Sequence, residues 1–243
     1  MAHMKLHGQT ALVTGGAVRI GRAICAALAD VGVNVIIHTR NSAQEAETLR
    51  IDLMQHGVQA WVLAADLNSD VACHDLIQQA IATAGQLDIL INNAAVFHKD
   101  NLETTTEAKL LAEFWPNLFA PLLLMRAFAR QSSGGKIINL LDRRIVGCDT
   151  DCVPYVLTKK ALAELTQLAA RELAPRFTVN GVAPGAVLPP PGQGVDYLHD
   201  KAGPVPLQKQ ITSADVAAAV LALLQNDAIT GQILFVDGGQ HLL

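Results

Sequence analysis

The alternation of short apolar runs with longer helical segments constrains this chain more than any other feature. Seven runs rich in apolar and β-branched residues indicate strands, at residues 11–14, 34–38, 60–64, 89–92, 136–141, 178–183 and 233–236. Six segments with helical periodicity lie between them, at residues 20–31, 43–55, 70–83, 106–130, 155–173 and 213–224. Near-continuous apolar strands that alternate with helices predict an α/β fold, a doubly wound parallel sheet of seven strands with helices on both faces.

The sequence shows no boundary between domains. Its 243 residues suit one large α/β domain, and no linker rich in glycine, serine or proline divides the alternating units. We therefore expect a single domain over residues 1–243, in which Met1-Ala2-His3 is a remnant of an expression vector. The long irregular stretch at residues 184–210 is typical of a lid or binding segment. We interpret it as a substrate loop, with Tyr197, Leu198 and His199 as candidate lining residues.

Composition argues against several classes of protein. The net charge is −4 and the basic residues are scattered, which gives no nucleic-acid footprint. Although 51% of the residues are hydrophobic, no apolar run has the length of a membrane span, and we expect no signal peptide. The four cysteines lack zinc or disulfide spacing, so free thiols in a reducing cytoplasm are favoured over a metal site at Cys148, Asp149, Asp151 and Cys152. We expect a soluble cytoplasmic protein without a metal.

A glycine-rich turn follows the first predicted strand and opens the first predicted helix, in Thr14-Gly15-Gly16-Ala17-Val18-Arg19-Ile20-Gly21. Glycines in such a turn let a pyrophosphate approach the free N–H groups of a helix N-terminus. The spacing of Gly15 and Gly21 departs from the usual G-x-G-x-x-G fingerprint, and a turn that binds nothing is the alternative. The strand–turn–helix setting favours a dinucleotide site.

The second predicted strand ends in His38-Thr39-Arg40-Asn41-Ser42. An acidic residue at this edge would accept the ribose 2′-hydroxyl of NAD, and the segment has none. Arg40, together with Ser42 and Arg19, can instead hold a 2′-phosphate. The sequence therefore predicts NADPH as the cofactor.

Polar residues also follow the third and fourth predicted strands, as Asp66-Leu67 and Asn92-Asn93-Ala94-Ala95. Asparagine pairs are good turn formers in any loop. The carboxyl ends of parallel strands, however, meet at the edge where doubly wound sheets bind ligands. This position favours a binding role for both segments.

Tyr155 and Lys159 are one helical turn apart and share a helix face. An unperturbed phenol has a pKa of about 10, and a neighbouring ammonium favours the phenolate and eases proton transfer. The spacing alone occurs by chance in many helices. Its surroundings are what favour a catalytic role.

Over nearly the whole chain, the order and spacing of several motifs resemble the short-chain dehydrogenase/reductase family. These motifs are the glycine turn, Asp66, Asn92-Asn93-Ala94, Asn117, Tyr155-x3-Lys159, Pro184-Gly185 and Val236-Asp237-Gly238-Gly239. The resemblance implies a Rossmann-like fold, NAD(P)(H) binding, hydride transfer and a homotetramer. It also implies that Tyr155 donates a proton, that Lys159 lowers the pKa of Tyr155 and holds the nicotinamide ribose, and that Asn117 supports a water-linked proton relay.

The same resemblance extends the expected cofactor site along the edge of the sheet. The residues assigned to it are Gly15, Arg19, Ile20, Gly21, His38, Thr39, Arg40, Asn41, Ser42, Asp66, Leu67, Asn93, Ala94, Ala95, Leu140, Tyr155, Lys159, Pro184, Gly185, Ala186 and Val187.

Two departures from the family pattern narrow the expected substrate. The family usually has a serine about thirteen residues before the tyrosine, a position that Asp142 occupies here, and the glycine turn carries Arg19. With Phe97 and Asn117-x2-Ala120-Pro121, these features resemble the pteridine reductase branch. The ending Asp237-Gly238-Gly239-Gln240-His241-Leu242 is similar to the bacterial dihydromonapterin reductases of that branch.

The chemistry of a carboxylate explains why an aspartate, Asp142, occupies the position of the family's usual serine. A carbonyl reductase stabilises a developing alkoxide, which the charge of Asp142 would repel. Reduction of a pterin C=N bond instead requires a proton on nitrogen, which Asp142 and Tyr155 together can supply. Phe97 is suited to stack on the flat pterin, and Arg19 to reach its oxygen or the phosphates. The predicted substrate-binding residues are therefore Arg19, Phe97, Asp142 and Tyr155.

The same residues also allow other structural and functional interpretations. Asp142-Arg143-Arg144 also fits a surface salt-bridge cluster, and Phe97 a core or interface residue. Ala95 and Val187 occupy positions that are often polar in pteridine reductases, which can change substrate preference. A carbonyl reductase of 3-oxoacyl thioesters or ketones is the second functional hypothesis. A non-catalytic NADP(H)-binding regulator is the third, and the presence of Asn117, Tyr155 and Lys159 disfavours it.

Overall fold

The protein is described by a computed structural model of residues 6–189 and 204–243. The predictions for Met1-Ala2-His3 and for Tyr197, Leu198 and His199 lie outside these ranges. The strands of the sheet are β1 (Thr10–Val13), β2 (Asn34–Thr39), β3 (Ala60–Ala64), β4 (Ile89–Asn92), β5 (Gly135–Leu140), β6 (Phe177–Pro184) and β7 (Ile233–Val236). They pair in parallel in the order β3-β2-β1-β4-β5-β6-β7.

Helices connect consecutive strands. They are α1 (Arg19–Asp30), α2 (Ala43–Met54), α3 (Asp70–Ala84), α4 (Glu107–Phe114), α5 (Ala120–Gln131), α6 (Val153–Leu173) and α7 (Ser213–Leu224). A π-helical turn over Trp115–Phe119 joins α4 to α5, and short 3₁₀ turns cover Arg143–Ile145 and Gln240–Leu242. The Rossmann-like, doubly wound seven-stranded sheet predicted from the sequence is confirmed.

The apolar strands bury both faces of the sheet. On β1, Val13 points into a cluster that includes Leu28 of α1, whereas its neighbour Leu12 points into a second cluster that includes Phe128 of α5. Successive side chains of a strand face opposite sides, so a strand between two helical layers must be apolar at every position. This is why these strands read as continuous hydrophobic runs.

The strand order reverses beside β1, which lies between β2 and β4. Val13 at the end of β1 pairs with Ile37 of β2 and with Ile91 of β4. The connections that leave β1 and β4 therefore diverge at this edge and open a crevice. In doubly wound sheets such a crevice is the ligand-binding position.

The structure differs from the prediction over residues 106–130, where one continuous helix was expected. Pro116 cannot donate a backbone hydrogen bond, and its ring clashes with a regular helical backbone. The chain instead forms the π-helical turn, after which α5 begins with Pro121 in its first turn. The prediction of an uninterrupted helix was wrong because the two prolines interrupt its regular hydrogen bonding.

Within residues 6–189 and 204–243, no helix is both long enough and apolar enough to cross a bilayer.

Candidate active site

The glycine turn is held against the end of β4 by Thr14. The Thr14 hydroxyl donates to the Ile91 carbonyl at 3.3 Å and accepts from the backbone N–H groups of Asn93 at 2.9 Å and Ala94 at 3.0 Å. The Asn93 amide in turn donates to the carbonyls of Thr14 at 2.8 Å and Gly15 at 3.0 Å. Two of the predicted cofactor segments are thereby joined into one surface.

Gly21 allows α1 to pack directly beneath this turn. A Cβ atom at Gly21 would lie 2.2 Å from the Gly15 carbonyl oxygen and 2.7 Å from the Asn93 amide nitrogen. Both distances are far below van der Waals contact, so residue 21 must be glycine for the turn to keep its shape. Gly15 itself has a φ of 60°, in the left-handed region that glycine adopts readily.

His38 is buried beneath the turn rather than exposed at its rim. Its ring bonds the Gly15 N–H at 3.2 Å and the Ala65 carbonyl at 3.1 Å, and 3% of its surface is exposed. Burial lowers the pKa of His38 to about 4, against the opposing effects of the Ala65 carbonyl and Asp66. The neutral ring therefore supports the glycine turn, and its predicted direct contact with the cofactor stays a prediction.

The rim next to β2 and β3 carries exposed charges. Arg40 and Asp66 are both about half exposed, with 4.0 Å between guanidinium nitrogen and carboxylate oxygen. Thr39 turns its hydroxyl back to accept from the Ser42 N–H at 3.0 Å, while Asn41 is exposed. The guanidinium of Arg40 is therefore accessible at the rim, and its predicted contact with a ribose 2′-phosphate stays a prediction.

Tyr155 and Asp142 form the centre of the site. Tyr155, in the first turn of α6, donates its phenolic hydrogen to Asp142 Oδ2 at 2.9 Å. Asp142 follows β5 and also accepts from the Arg144 backbone N–H at 2.8 Å. The contact predicted between the aspartate and the tyrosine hydroxyl is therefore present.

Lys159 is buried beside this pair. Its ammonium donates to the Leu140 carbonyl at 2.7 Å and lies 5.9 Å from the centre of the Tyr155 ring. Burial lowers the pKa of Lys159 to about 8, and the charges of Asp142 and Glu113 oppose that shift. Leu140, a predicted cofactor residue, holds the lysine through its carbonyl and buries its side chain in the core.

The pKa of Tyr155 differs from the sequence expectation. Lys159 was expected to lower it, but burial and then the carboxylate of Asp142 raise the pKa of Tyr155 well above 10. Burial is the larger cause, and the phenol is hydrogen-bonded to the Asp142 carboxylate while the Lys159 ammonium is directed to the Leu140 carbonyl. Tyr155 is thus kept protonated, the form that a proton donor requires.

Asn117 lies within the π-helical turn and is fully buried. Its amide oxygen accepts from the Val96 N–H at 2.9 Å, and its amide nitrogen donates to the Val96 carbonyl at 3.0 Å and to Glu113 Oε2 at 2.7 Å. Single π-turns inside helices are frequent at functional sites because they redirect a side chain. Here the turn fixes Asn117 against the segment that follows β4.

Phe97 lies at the mouth of the site. Its ring meets the Tyr155 ring edge-on with centroids 4.8 Å apart, and the Arg144 guanidinium is 5.6 Å from its centroid. The ring is 45% exposed, so it is not a core residue. Phe97 therefore presents part of its surface to solvent next to Tyr155, and its predicted stacking on substrate stays a prediction.

Arg19 faces the segment that follows β6. Its φ is 55°, and its guanidinium donates to the carbonyls of Leu188 at 3.3 Å and Pro189 at 3.1 Å. Its predicted contacts with phosphate or substrate stay predictions. The side chain does bridge the glycine turn and the beginning of the expected substrate loop.

The remaining predicted residues divide between rim and core. Ala95 is exposed and Ala186 half-buried, whereas Leu67 and Val187 are buried in the two apolar clusters and Ile20 packs against one of them. Pro184 ends β6 and pairs with Val236. Gly185 passes so close to Asp237 that a Cβ would lie 2.9 Å from its Cα.

Two charged residues of the site were not predicted. Glu113 bonds Asn117, and Arg144 reaches Asp142 at 3.3 Å and Asp149 at 2.7 Å. Glu113 could have been found from its i, i+4 spacing to Asn117. A surface salt-bridge cluster was the alternative interpretation of the segment that contains Arg144. Arg144 does form salt bridges, and its guanidinium also lies over the Phe97 ring. Asp149 pairs with this arginine, next to an exposed Cys148 and a buried Cys152.

The fold and this arrangement of tyrosine, lysine and asparagine define a nicotinamide-dependent oxidoreductase of the short-chain type. The profile described as enoyl-(acyl carrier protein) reductase matches residues 15–241. The chain belongs to the short-chain dehydrogenase/reductase family.

Similar proteins include both uncharacterised and named enzymes. An uncharacterised oxidoreductase, YhxC of Bacillus subtilis, is 31% identical over 97% of this chain and 85% of its own length. A 3-oxoacyl-(acyl-carrier-protein) reductase, FabG of Staphylococcus epidermidis, is 32% identical over 96% of this chain and 99% of its own. The structure of FolM alternative dihydrofolate reductase 1 from Brucella canis, complexed with NADP, superposes with a TM-score of 0.92 at 34% identity, covering 100% of this chain and 97% of that one.

Proposed function

We propose that this protein reduces a C=N bond of a pterin with NADPH, converting a dihydropterin to a tetrahydropterin, with dihydrofolate as a further candidate substrate. The observation that carries the proposal is the 2.9 Å hydrogen bond from Tyr155 to Asp142. A carboxylate occupies the position where a carbonyl reductase needs a neutral donor. The similarity to a FolM alternative dihydrofolate reductase supports the same substrate class.

The residues along the sheet edge fit NADPH. Glycine at positions 15 and 16 adds no side chain to the turn, and glycine at position 21 lets α1 pack against it, which suits the approach of a pyrophosphate to the helix N-terminus. Arg40, 54% exposed, would meet the 2′-phosphate, and Lys159 the nicotinamide ribose. NADP in the related FolM structure supports this assignment.

In the proposed reaction NADPH supplies a hydride to the carbon of the C=N bond. The nitrogen becomes strongly basic, and Tyr155 donates its phenolic proton to it. Asp142 holds the phenol by its hydrogen bond before transfer and presents a carboxylate to the donor-rich edge of an aminopterin. Phe97 offers its exposed ring for stacking, and the neighbouring Tyr155 ring sets the edge of that platform.

A carbonyl reductase is the second candidate function. It is favoured by the 32% identity to a 3-oxoacyl-(acyl-carrier-protein) reductase over nearly the full length of both chains. Against it stands Asp142, whose charge would oppose a developing alkoxide. Both functions use Tyr155 and Lys159. They differ in the side chain they require at position 142, which is a neutral donor for a carbonyl reductase and a carboxylate for the proposed pterin reductase.

The deciding experiment measures NADPH oxidation with dihydrobiopterin, dihydromonapterin, dihydrofolate and a 3-oxoacyl thioester under identical conditions. We expect turnover with the dihydropterins and little or none with the thioester. Turnover of the thioester alone would reject the pterin assignment. NADPH binding without turnover of any compound would favour a regulatory protein.

We further infer a homotetramer acting in the cytoplasm on a small-molecule substrate. Val146, Leu157 and Leu234 expose 50%, 47% and 38% of their surfaces. Val146 and Leu157 line a shallow depression of about 930 Å³ between α6 and β7. Exposed apolar side chains around such a depression are suited to contact between copies of the chain.

A further inference from the structure

Arg144 is a half-buried cation without a role in the reaction proposed for Tyr155 and Asp142. It lies in the 3₁₀ turn between β5 and α6, and 28% of its side chain is exposed. Its Nε atom donates to Asp149 Oδ2 at 2.7 Å, while its Nη1 atom lies 3.3 Å and 3.4 Å from the two oxygens of Asp142. The guanidinium therefore lies between two carboxylates, one of which belongs to the proton-donating pair.

The contacts on the two sides of Arg144 differ in strength. A charge-assisted N–H···O bond is typically about 2.7–2.9 Å long, so the bond to Asp149 is strong and the two contacts with Asp142 are weak. Asp142 lies closer to the Tyr155 hydroxyl, at 2.9 Å. Asp149 therefore fixes the position of the guanidinium, and Arg144 neutralises Asp142 without drawing it away from the phenol.

The same salt bridge braces the loop that joins the two members of the proton-donating pair. Asp142 follows β5, and Tyr155 lies in the first turn of α6. The loop between them contains both Arg144 and Asp149. Asp149 Oδ1 also accepts from the Asp151 N–H at 3.1 Å, just before α6 begins. A rigid loop of this kind limits how far the carboxylate and the phenol can move apart.

The charges of this group stabilise one another. Burial disfavours the Arg144 cation, but the Asp142 and Asp149 carboxylates outweigh burial and raise the pKa of Arg144 above its usual value. Burial also disfavours the Asp149 carboxylate, but the bonds from Arg144 and from the Asp151 N–H outweigh burial and lower the pKa of Asp149. Removal of either partner would leave the other charge partly buried and uncompensated.

Arg144 also contacts the ring of Phe97. The guanidinium carbon lies 5.6 Å from the ring centroid, within the range of about 6 Å for a cation–π interaction. The backbone N–H groups on both sides of Phe97 are held by Asn117 at 2.9 Å and by Glu113 at 2.8 Å. The direction of the ring therefore depends on the side chains that contact it, Tyr155 and Arg144.

We propose that Arg144, anchored by Asp149, positions both groups that receive the substrate. It neutralises the carboxylate of Asp142 while leaving it directed to Tyr155. It also holds the Phe97 ring beside this pair, so that a flat heterocycle stacked there meets the proton donor in a fixed relation. The inference rests on the proposed function, in which Asp142 and Phe97 contact the pterin. Arg144 and Asp149 act through other residues and are positioning residues.

The test uses Arg144→Ala, Asp149→Asn and the double variant in the full-length protein. The matched controls are Arg143→Ala, in the same 3₁₀ turn, and Asp151→Asn, at an exposed position of the same loop. For each variant we would measure kcat and KM with the substrate that the wild type reduces, and the Kd for NADPH. Dilute guanidinium chloride provides a rescue, because loss of the Arg144 side chain opens a space between Asp142 and Asp149. Sodium chloride at equal ionic strength is its control.

We expect Arg144→Ala to lower kcat/KM about tenfold, through both a lower kcat and a higher KM, because the proton donor and the stacking ring each lose a charged contact. Asp149→Asn should have a smaller effect in the same direction. The double variant should equal Arg144→Ala, since Asp149 acts through Arg144 and the two losses are not independent. Guanidinium should restore activity to Arg144→Ala and leave both controls unchanged, and the Kd for NADPH should stay the same throughout.

Unchanged kinetics in Arg144→Ala, or losses that are additive in free energy in the double variant, would overturn the proposal, as would equal activation of the controls by guanidinium. If Arg144→Ala does not fold, Asp149→Asn decides alone, and unchanged kinetics there would overturn it. A wild type that reduces the thioester but no dihydropterin would reject the proposed function. The non-additivity and the guanidinium rescue, measured with the thioester, would then still decide whether Arg144 positions Asp142.

Discussion

Asp142 shares its carboxylate between Tyr155 and Arg144, so its replacement tests the proposed substrate at a single position. In Asp142→Ser the phenol loses a charged acceptor, and the pKa of Tyr155 should fall, because the Asp142 charge is second only to burial in raising it. We expect kcat/KM for a dihydropterin to fall at least tenfold, and activity with a carbonyl compound to rise. Unchanged pterin kinetics, with NADPH binding intact, would refute the role of Asp142.

The lowered pKa of Lys159 predicts how kcat depends on pH. Its pKa is lowered to about 8 by burial, so the ammonium is present below this pH and lost above it. We expect kcat to fall as the pH rises through about 8, and Lys160→Ala, at the neighbouring position, to leave this profile unchanged.

Measurements of stability separate this loss of activity from unfolding. Between pH 8 and about 10 the unfolded chain keeps the Lys159 proton and the folded chain does not, because the unperturbed pKa of lysine is about 10.4. The contribution of Lys159 to the free energy of unfolding therefore rises with pH in this window. A kcat that stays constant to pH 10 would exclude a role for the charged lysine.

Single residues of the site were predictable to different degrees. Asp142, Tyr155 and Asn117 could be chosen because their order and spacing resemble the motifs of the family, including the departure from serine at Asp142. Arg144 could not, because its role depends on a contact across the fold, to the ring of Phe97. For Glu113 the sequence offers only its i, i+4 spacing to Asn117, and its bond to His98 from a separate loop is visible only in the fold. The direction of the Tyr155 pKa was missed because it depends first on the burial of the phenol and then on the charge of Asp142, and burial is set by the packing of the whole fold.

Among the helices, α7 offers a test of local stabilisation. Thr212 caps it by accepting from the Asp215 N–H at 3.2 Å, and the Asp215 carboxylate returns a bond to the Thr212 N–H at 2.8 Å. Thr106 caps α4 with one longer bond, 3.4 Å from the Lys109 N–H. We expect Thr212→Ala to lower the free energy of unfolding by about 1 kcal/mol and Thr106→Ala by less. Urea denaturation measures both, and equal losses would contradict the importance of the reciprocal bond.

The elements of the fold could be predicted largely from hydrophobic periodicity, but their interruptions could not. All seven strands lie where apolar runs indicated them, because a strand buried on both faces leaves a pattern that few other elements produce. The π-helical turn left a weaker signal. Pro116 and Pro121 indicate a disturbed helix, whereas the extra residue per turn depends on the bonds of Asn117 with Val96 and Glu113.

At the scale of the assembled molecule, substitution of Leu157 tests whether the chain forms the inferred tetramer. It is 47% exposed on α6 and lines the depression toward β7. A charge there would be buried without a partner if copies of the chain meet at this surface. Sedimentation velocity should show a species several times the 25.8 kDa chain for the wild type, and smaller species for Leu157→Asp. Ile51→Asp, at a residue of α2 that is 51% exposed, is the control. A monomeric wild type would refute the assembly.

Cofactor preference should be visible in the stability of the whole molecule. A ligand that binds the folded state at about 100 times its Kd raises the free energy of unfolding by about 2.7 kcal/mol, which corresponds to roughly 5–10 °C in Tm for a chain of this size. We expect NADPH to raise Tm more than NADH does at equal concentration, because Arg40, which we propose contacts the ribose 2′-phosphate, is 54% exposed. In Arg40→Asp the new carboxylate would lie beside Asp66 and repel that phosphate, so the advantage of NADPH should disappear.

Arg22→Asp, which removes a comparable surface ion pair with Asp52 at 2.9 Å, should lower the starting Tm without changing the difference between the cofactors. Equal loss of both cofactor effects in Arg40→Asp would mean that Arg40 supports the fold of the site and does not select the phosphate.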